Sequence, residues 1–152
     1  MLRPATIPDL ELVSTWVRTP RECELWAGAR VHFPLTLASL SAAIDFVHQG
    51  GLVLLDGDAT VAFGQIVSKA RRRAHLARLI VAPEHRGRGF GKALVGELLE
   101  QARTNRYQLA SLNVDPANAV AIALYGKLGF VDAERPADEP DPFGSRYMER
   151  AL

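Results

Sequence analysis

Between Val81 and Lys92 the chain reads Val-Ala-Pro-Glu-His-Arg-Gly-Arg-Gly-Phe-Gly-Lys, with Gly87, Gly89 and Gly91 at alternate positions. A residue without a Cβ takes backbone conformations that others avoid and lets a ligand approach main-chain N–H groups closely. Arg86, Arg88 and Lys92 put positive charge around those groups, with Phe90 among them. An apolar strand precedes the loop and helical periodicity follows it. The N–H groups therefore fall at a helix start, where unpaired donors and the helix dipole favour an anion. The chemistry this suggests is binding of a phosphate or pyrophosphate; the plainer reading is a strand-to-helix turn that only needs glycine. Two familiar phosphate sites fail on spacing. A P-loop requires Ser or Thr after Gly-Lys, and here Ala93 follows, with Arg86 where the first glycine belongs. A dinucleotide fingerprint requires G-x-G-x-x-G, and the last glycine is replaced by Lys92 in one register and Leu94 in the other.

The pattern that does fit is Arg-x-x-Gly-x-Gly, at Arg86, Gly89 and Gly91, after an apolar strand ending Val-x-Pro. A second segment follows in order: Leu112-Asn113-Val114, then Asn118, Ala119, Ala121, Leu124-Tyr125 and Lys127-Leu128-Gly129-Phe130. Together they resemble the acetyl-CoA signature of the GNAT superfamily of N-acetyltransferases. The resemblance is strongest from His75 to Phe130 and looser before it, and it spans nearly the whole chain. It implies a single domain over 1–152, a mixed α/β sandwich with a central, mostly antiparallel sheet flanked by helices. It also implies acetyl-CoA as co-substrate, no metal, and acetyl transfer to an amine by direct attack on the thioester.

Residue by residue, the resemblance assigns the cofactor phosphates to Arg86, Gly87, Arg88, Gly89, Phe90, Gly91 and Lys92. It assigns the pantetheine arm to the backbone of Leu79, Ile80 and Val81, and a contact from the other side to Asn118 and Ala121. Asn118 has an alternative as a helix cap, since it follows Pro116 near a helix start. A backbone N–H near Ile80 or Val81 would meet the oxyanion, where family members carry a bulge. The run Leu76 to Val81 loses strict alternation, which is compatible with a bulge. Tyr125 is expected to serve the leaving thiol. It lies seven residues after Asn118, on the same helix face. Proton transfer from an ordinary tyrosine, pKa about 10, to a thiolate of about 8.5 is uphill by about 2 kcal/mol. Tyr125 thus needs a lowered pKa or acts mainly as a hydrogen-bond donor; the plain alternative is a core tyrosine with a satisfied hydroxyl. For deprotonating the amine, His75 is the first candidate base, against a structural histidine or a water chain to solvent. Arg78, unusual in so apolar a strand, is read as half of a structural ion pair in preference to a substrate contact.

The elements needed to position these groups are legible around them. Leu2 to Pro4 starts a strand. Thr6 and Asp9 mark a helix start with an apolar stripe at Leu10, Val13 and Val17. Pro20 to Trp26 forms a short helix closed by Gly28, and Val31 to Pro34 a loop. Thr36 caps a helix with Leu37, Leu40, Ile44 and Val47 on one face, stopped at Gly50-Gly51. Leu52–Leu55 and Val61–Val67 are strands joined at Asp56-Gly57-Asp58. Arg71-Arg72-Arg73 marks the next turn, followed by a strand at His75–Val81 and a helix from Gly89 to Asn105 facing in through Leu94, Leu98 and Leu99. Leu109–Val114 is a strand, Ala117–Leu128 the Tyr125 helix with Gly129 at its C′ position, and 130–152 a hairpin with a long loop at Pro136–Gly144.

Composition narrows the partners. One domain of 152 residues carries 18 Lys and Arg against 17 Asp and Glu, a net charge of +1 that gives no drive toward nucleic acid or an anionic membrane. The single cysteine, Cys23, excludes an internal disulfide framework and a cysteine-based zinc site. No membrane-spanning run or secretory leader is present, so a cytoplasmic protein is expected. Arg71-Arg72-Arg73 lacks aromatic interleaving and reads as a solvated turn, not a nucleic-acid patch. Tyr107 and Tyr147 read as packing residues. Trp26, His32 and Phe33 are candidates to line an apolar acceptor pocket, with core packing equally open. The loop bearing Glu134, Asp138, Glu139 and Asp141 could attract a cationic amine, with a solvated loop as the default. A non-catalytic acyl-CoA sensor on the same fold is the competing function. A homodimer suits the fold, but no sequence feature marks an interface.

Overall fold

The computed structural model describes residues 1–28 and 31–152. Strand β1 (Leu2–Pro4) pairs antiparallel with β2 (Leu52–Asp56), Leu2 opposite Leu54. Helix α1 (Ile7–Ser14) starts on the expected capping box: the Thr6 hydroxyl accepts from the Asp9 N–H, and the Asp9 carboxylate accepts the Thr6 N–H at 2.7 Å. Arg3 donates to both Asp9 oxygens, at 2.5 and 2.9 Å. That ion-paired hydrogen bond holds the Asp9 carboxyl well below the usual carboxylate range despite its burial. Helix α2 (Pro20–Ala27) is capped by Thr19 and ends at Gly28, whose φ of 112° suits glycine.

The next helix departs from the expected stripe. Helix α3 (Leu37–Ala43) stops, Asp45 turns left-handed with φ 50°, and a separate turn, α4 (Phe46–Gln49), follows. The break rotates Val47 out to 82% exposure and packs Phe46 against the core instead. Gln65, fully buried, secures the junction: its amide donates to the carbonyls of Ile44 (3.0 Å) and Gly50 (2.6 Å), which lie past the helix ends and lack intrahelical donors.

Strand β3 (Ala59–Lys69) turns back from β2 at Gly57-Asp58. Then come β4 (Arg73–Val81), a short 3-10 turn at Pro83–His85, α5 (Phe90–Thr104), β5 (Leu109–Val114), α6 (Ala119–Lys127), β6 (Val131–Asp132) and β7 (Arg146–Ala151). The sheet order is β1-β2-β3-β4-β5-β7-β6. β4 and β5 are parallel, in register from Arg73 opposite Leu109 to His75 opposite Ser111, and α5 is their crossover. The pairs β1–β2, β2–β3, β5–β7 and β6–β7 are antiparallel, as expected of a mixed α/β sandwich.

The chain divides into two compact units. Met1–Gln65 with Arg78–Glu97 encloses a core of Leu10, Val13, Trp16, Leu40, Ile44, Val53, Phe63 and Ala82. Ile66–Ala77 with Leu98–Leu152 buries Leu98, Leu99, Ala102, Ala110, Leu112 and Phe130. The strands β3 and β4 and the helix α5 each run from one unit into the other. Among the described residues no helix is long and apolar enough to cross a membrane.

Candidate active site

The glycine loop is built as its sequence requires. Gly87 and Gly89 take φ of 75° and 86°, which only glycine adopts without strain, and α5 begins at Phe90. A Cβ at either glycine would meet no protein atom within 4 Å, so the space beside them is open. The first helical bond runs from the Ala93 N–H to the Gly89 carbonyl, 3.1 Å, and the N–H groups of Phe90, Gly91 and Lys92 lie in the turn that has no intrahelical acceptor. This helix end can hold an anion. The cations divide. Arg86 is drawn back, its Nε donating to the Val81 carbonyl at 3.1 Å with Glu22 4.0 Å from its Nη1. Arg88 lies over the Phe90 ring and meets His85 Nδ1 at 3.0 Å. Lys92 is exposed and meets no partner among the described residues.

Upstream, Arg78 has φ 51° inside β4, so the lost alternation of Leu76–Val81 corresponds to a left-handed residue, at Arg78 rather than at Ile80 or Val81. The expected ion pair is not there. Arg78 is partly buried, burial lowers its pKa, and among the described residues it meets no carboxylate, hydrogen-bond partner or aromatic ring. Ile80 packs against the apolar clusters that contain Trp26.

On α6, Asn118 is the N-cap, its Oδ1 accepting the Ala121 N–H at 3.1 Å. The capping role therefore occupies the Ala121 N–H and one face of Asn118, whose amide nitrogen remains available to a ligand. Tyr125 sits edge-on to Phe130, ring centroids 6.0 Å apart, and its hydroxyl meets no partner among the described residues. No side chain or backbone group among the described residues satisfies it, as a core role would require of the protein itself. Burial pushes its pKa up to about 12, which removes the alternative of a lowered pKa and leaves a neutral hydrogen-bond donor.

His75, the candidate base, is 9% exposed and lies in a polar network. Its Nδ1 is 2.8 Å from Ser111 Oγ and its Nε2 3.4 Å from Asn113 Nδ2. The proton order follows from groups that can only donate. Arg135 donates to Asn113 Oδ1, which fixes the Asn113 amide nitrogen toward His75. Nε2 of His75 is then the acceptor and Nδ1 carries the proton toward Ser111. Arg73 Nη1 also donates to Ser111, at 2.6 Å. With both its lone pairs taken, Ser111 turns its own proton to the Tyr147 hydroxyl, which donates to Glu149 at 2.8 Å. Both ring nitrogens of His75 are thus engaged, a geometry suited to support rather than proton abstraction.

Arg73, Tyr147, Arg135, Glu139 and Asp141 were not singled out from the sequence as polar anchors. Arg73 is not part of a solvated turn: it is 5% exposed, begins β4, and pairs with Glu139. Tyr147 is buried as expected but lies under two guanidiniums, those of Arg73 (5.9 Å) and Arg135 (5.3 Å). Arg135 also binds Asp141 and Ser145. Glu139 and Asp141, read as solvated charges or an amine attractor, are therefore both neutralised internally. Nothing local signals these partners, which stand 22 to 66 residues apart in the Asn113–Arg135 and Arg73–Glu139 pairs. Phe33 is exposed at 36% and Trp26 packs edge-on to Phe63 with its indole N–H buried and unpartnered, so of the proposed apolar wall only Trp26 is built into the core. Among the described residues no group of three His, Cys, Asp or Glu is placed to hold a metal.

Comparison with known proteins bears on this arrangement. Over 79 residues the chain is 34% identical to the ribosomal protein bS18-alanine N-acetyltransferase of Salmonella typhimurium, covering 52% of this chain and 53% of that protein. It is 42% identical over 55 residues to an uncharacterized N-acetyltransferase of Bacillus subtilis, covering 36% of this chain and 22% of that protein. The chain thus spans less than two thirds of these curated relatives. Among solved structures, the spermidine N-acetyltransferase from Vibrio cholerae in complex with CoA and spermine has a TM-score of 0.78 at 21% identity, covering 99% of this chain and 94% of that one. The ribosomal-protein-alanine N-acetyltransferase from Brucella melitensis has a TM-score of 0.73 at 20% identity, covering 100% and 99%. At these identities the structural likeness is one of fold. A family model described as the acetyltransferase (GNAT) family matches residues 14–130, a stretch that contains the glycine loop, the left-handed residue of β4 and the Tyr125 helix, and the chain belongs to that family.

Proposed function

We propose that the chain is an acetyl-CoA-dependent N-acetyltransferase acting on a primary amine, and that 1–152 works as one catalytic domain. The observation that carries this reading is the start of α5: two left-handed glycines, open space beside them, and a first helical turn of N–H groups without acceptors. That construction fits the pyrophosphate of acetyl-CoA. The backbone of Leu79, Ile80 and Val81 would pair with the pantetheine arm in the manner of an added strand, with Asn118 contributing its free amide nitrogen.

In the reaction the amine nitrogen attacks the thioester carbonyl, the C–N bond forms, and the charge on oxygen is met by a backbone N–H of β4. The C–S bond then breaks and the amine proton passes to solvent. Tyr125 stays protonated and donates a hydrogen bond to the departing sulfur. The reading needs no metal, because the acceptor supplies its own nucleophile. A cytoplasmic location goes with it, where acetyl-CoA is available. The alternative, an acyl-CoA sensor, is disfavoured by an unpartnered Tyr125 hydroxyl, which binding alone does not require.

Thermal unfolding with and without acetyl-CoA tests the reading. Ligand at a hundred times its dissociation constant adds about 2.7 kcal/mol, a shift of several degrees for a domain of this size. Thiol release with a panel of amines then separates enzyme from sensor. No shift at millimolar acetyl-CoA would overturn the cofactor assignment, and a shift without thiol release from any amine would favour the sensor.

A further inference from the structure

Three other sequestered arginines of the fold have a carboxylate. Arg3 has Asp9, Arg73 has Glu139 and Arg135 has Asp141. Arg78, in β4, has none, and no hydrogen-bond acceptor or ring takes its place among the described residues. Its neighbours in the strand, Leu76, Ala77, Leu79, Ile80 and Val81, are apolar and cannot compensate a desolvated cation. Its backbone is also left-handed, φ 51°, a conformation that is costly for a residue with a Cβ and that persists where the surroundings impose it. A strained, partly desolvated guanidinium with no partner among the described residues has nothing there to offset its desolvation. Such a group is suited to an anion supplied from outside.

Position along the strand says which anion. A strand advances about 3.3 Å per residue, so Arg78 lies about 10 Å back from Val81, the end that leads into the glycine loop. If the loop takes the pyrophosphate and Leu79–Val81 the pantetheine arm, Arg78 stands beyond the arm, at the acyl end, where the acceptor must arrive. The cofactor's phosphates lie at the opposite end. The charge inventory agrees. A polycationic acceptor needs free carboxylates, and two of the four on the acidic loop, Glu139 and Asp141, are taken by arginines.

We propose that Arg78 recognises a carboxylate carried by the acceptor, so that the substrates are small amino acids acetylated on nitrogen rather than polyamines or simple alkylamines. The planar guanidinium offers a paired set of donors that matches a carboxylate. This inference rests on the N-acetyltransferase reading.

The experiment compares matched acceptors: a set of amino acids, their carboxamides, their decarboxylated amines, and spermidine, with thiol release from acetyl-CoA as the signal. The expected result is a kcat/KM at least tenfold higher for the amino acids than for their uncharged counterparts. Arg78→Gln should collapse that ratio toward one, through KM more than kcat, and Arg78→Lys should restore part of it. Arg78→Gly, which suits the left-handed φ, removes the charge without the backbone strain and guards against a variant that fails to fold. Stabilisation by acetyl-CoA, read by thermal unfolding, should be the same in all four proteins. A second arm does not need turnover: N-acetyl amino acids should stabilise the wild-type protein with CoA present, and N-acetyl amino amides should not. Equal kcat/KM for both members of each pair, or preference for spermidine, would overturn the inference. So would a loss of acetyl-CoA stabilisation in Arg78→Gln, which would assign the residue to the cofactor. Failure of the parent reading is distinct, because it abolishes acetyl-CoA stabilisation in the wild-type protein itself.

Discussion

Replacing Tyr125 with Phe deletes one oxygen and keeps the ring that packs on Phe130. Because the hydroxyl has no partner within the described residues, the substitution breaks no internal hydrogen bond, and the fold should lose under about 1 kcal/mol. The effect on chemistry can be bounded. With the phenol at about 12, full proton transfer to a thiolate of about 8.5 is uphill by about 5 kcal/mol, so the residue acts by donating a hydrogen bond. A hydrogen bond to a charged group is worth about 1.5–3 kcal/mol. Spent only on the nascent thiolate, that corresponds to a fall in kcat of about 10- to 150-fold. The assay is single-turnover thiol release at saturating acetyl-CoA and amine, which isolates the chemical step from product release, alongside acetyl-CoA stabilisation by thermal unfolding. The expected pattern is a slower step with unchanged acetyl-CoA stabilisation. The pH profile adds a check: the phenol remains protonated up to about 12, so any alkaline limb below pH 11 must persist in Tyr125→Phe. Wild-type single-turnover rates in the variant would refute the role. A loss of acetyl-CoA binding as large as the loss of rate would show that Tyr125 binds cofactor in the ground state.

Three further outcomes follow from the geometry. Gly89→Ala should leave the protein folded, since the added Cβ meets nothing within 4 Å and only the φ of 86° is strained, yet weaken acetyl-CoA stabilisation sharply; full retention of that stabilisation would count against the loop as the cofactor site. Gly51→Ala places a Cβ 2.6 Å from Cζ of the fully buried Phe63 and should cost about 1–3 kcal/mol by urea unfolding, with a cost near zero showing that the ring can move aside. Asp9, its folded pKa depressed by Arg3, stabilises the fold above its unfolded pKa of about 3.9, and that contribution is lost as pH falls from there toward the folded value. Asp9→Asn should therefore cost about 1.5–3 kcal/mol at pH 7, toward the lower end because Arg3 is partly exposed, and the gap to wild type should narrow as pH drops below 4; a gap independent of pH would remove the ion pair from the account.

Features set by neighbouring residues were legible in the sequence. The Thr6–Asp9 capping box, the Gly28 and Gly129 helix ends and the left-handed loop glycines all depend on spacings of a few residues, and each stands where the pattern puts it. The stripe Leu37, Leu40, Ile44, Val47 misled because spacing alone does not register a reversal of one backbone residue, and Asp45 supplies that reversal. At β4 the loss of alternation announced an irregularity without locating it, since either side of Leu79 would have disturbed the pattern equally. Arg73 is the clearest limit. In sequence it is the third member of a basic run. In the fold its neighbours Arg71 and Arg72 turn left-handed at the tip, and it is pulled into the sheet by Ser111 and Glu139, residues 38 and 66 positions away. The backbone of the glycine loop was legible because a local motif encodes it; the surroundings of His75 and Arg78 were not, because residues distant in sequence decide them.

The one-way order of donors from Arg135 through Asn113, His75, Ser111 and Tyr147 to Glu149 also restricts how this chain can drift. Each member dictates the polarity of the next, so substitutions along the row are not interchangeable even when they preserve size. Asn113→Asp exchanges a nitrogen for an oxygen and nothing else, yet it presents His75 Nε2 with an acceptor in place of a donor. The imidazole must then place a proton on Nε2, which obliges Nδ1 and Ser111 to exchange donor and acceptor roles and disturbs the row beyond them; ring-nitrogen shifts of His75 identical to those of the wild-type protein in that variant would contradict the assigned order. Natural variation at position 113 should therefore travel with compensating changes at 75 or 135, a covariation set by hydrogen-bond direction rather than by volume.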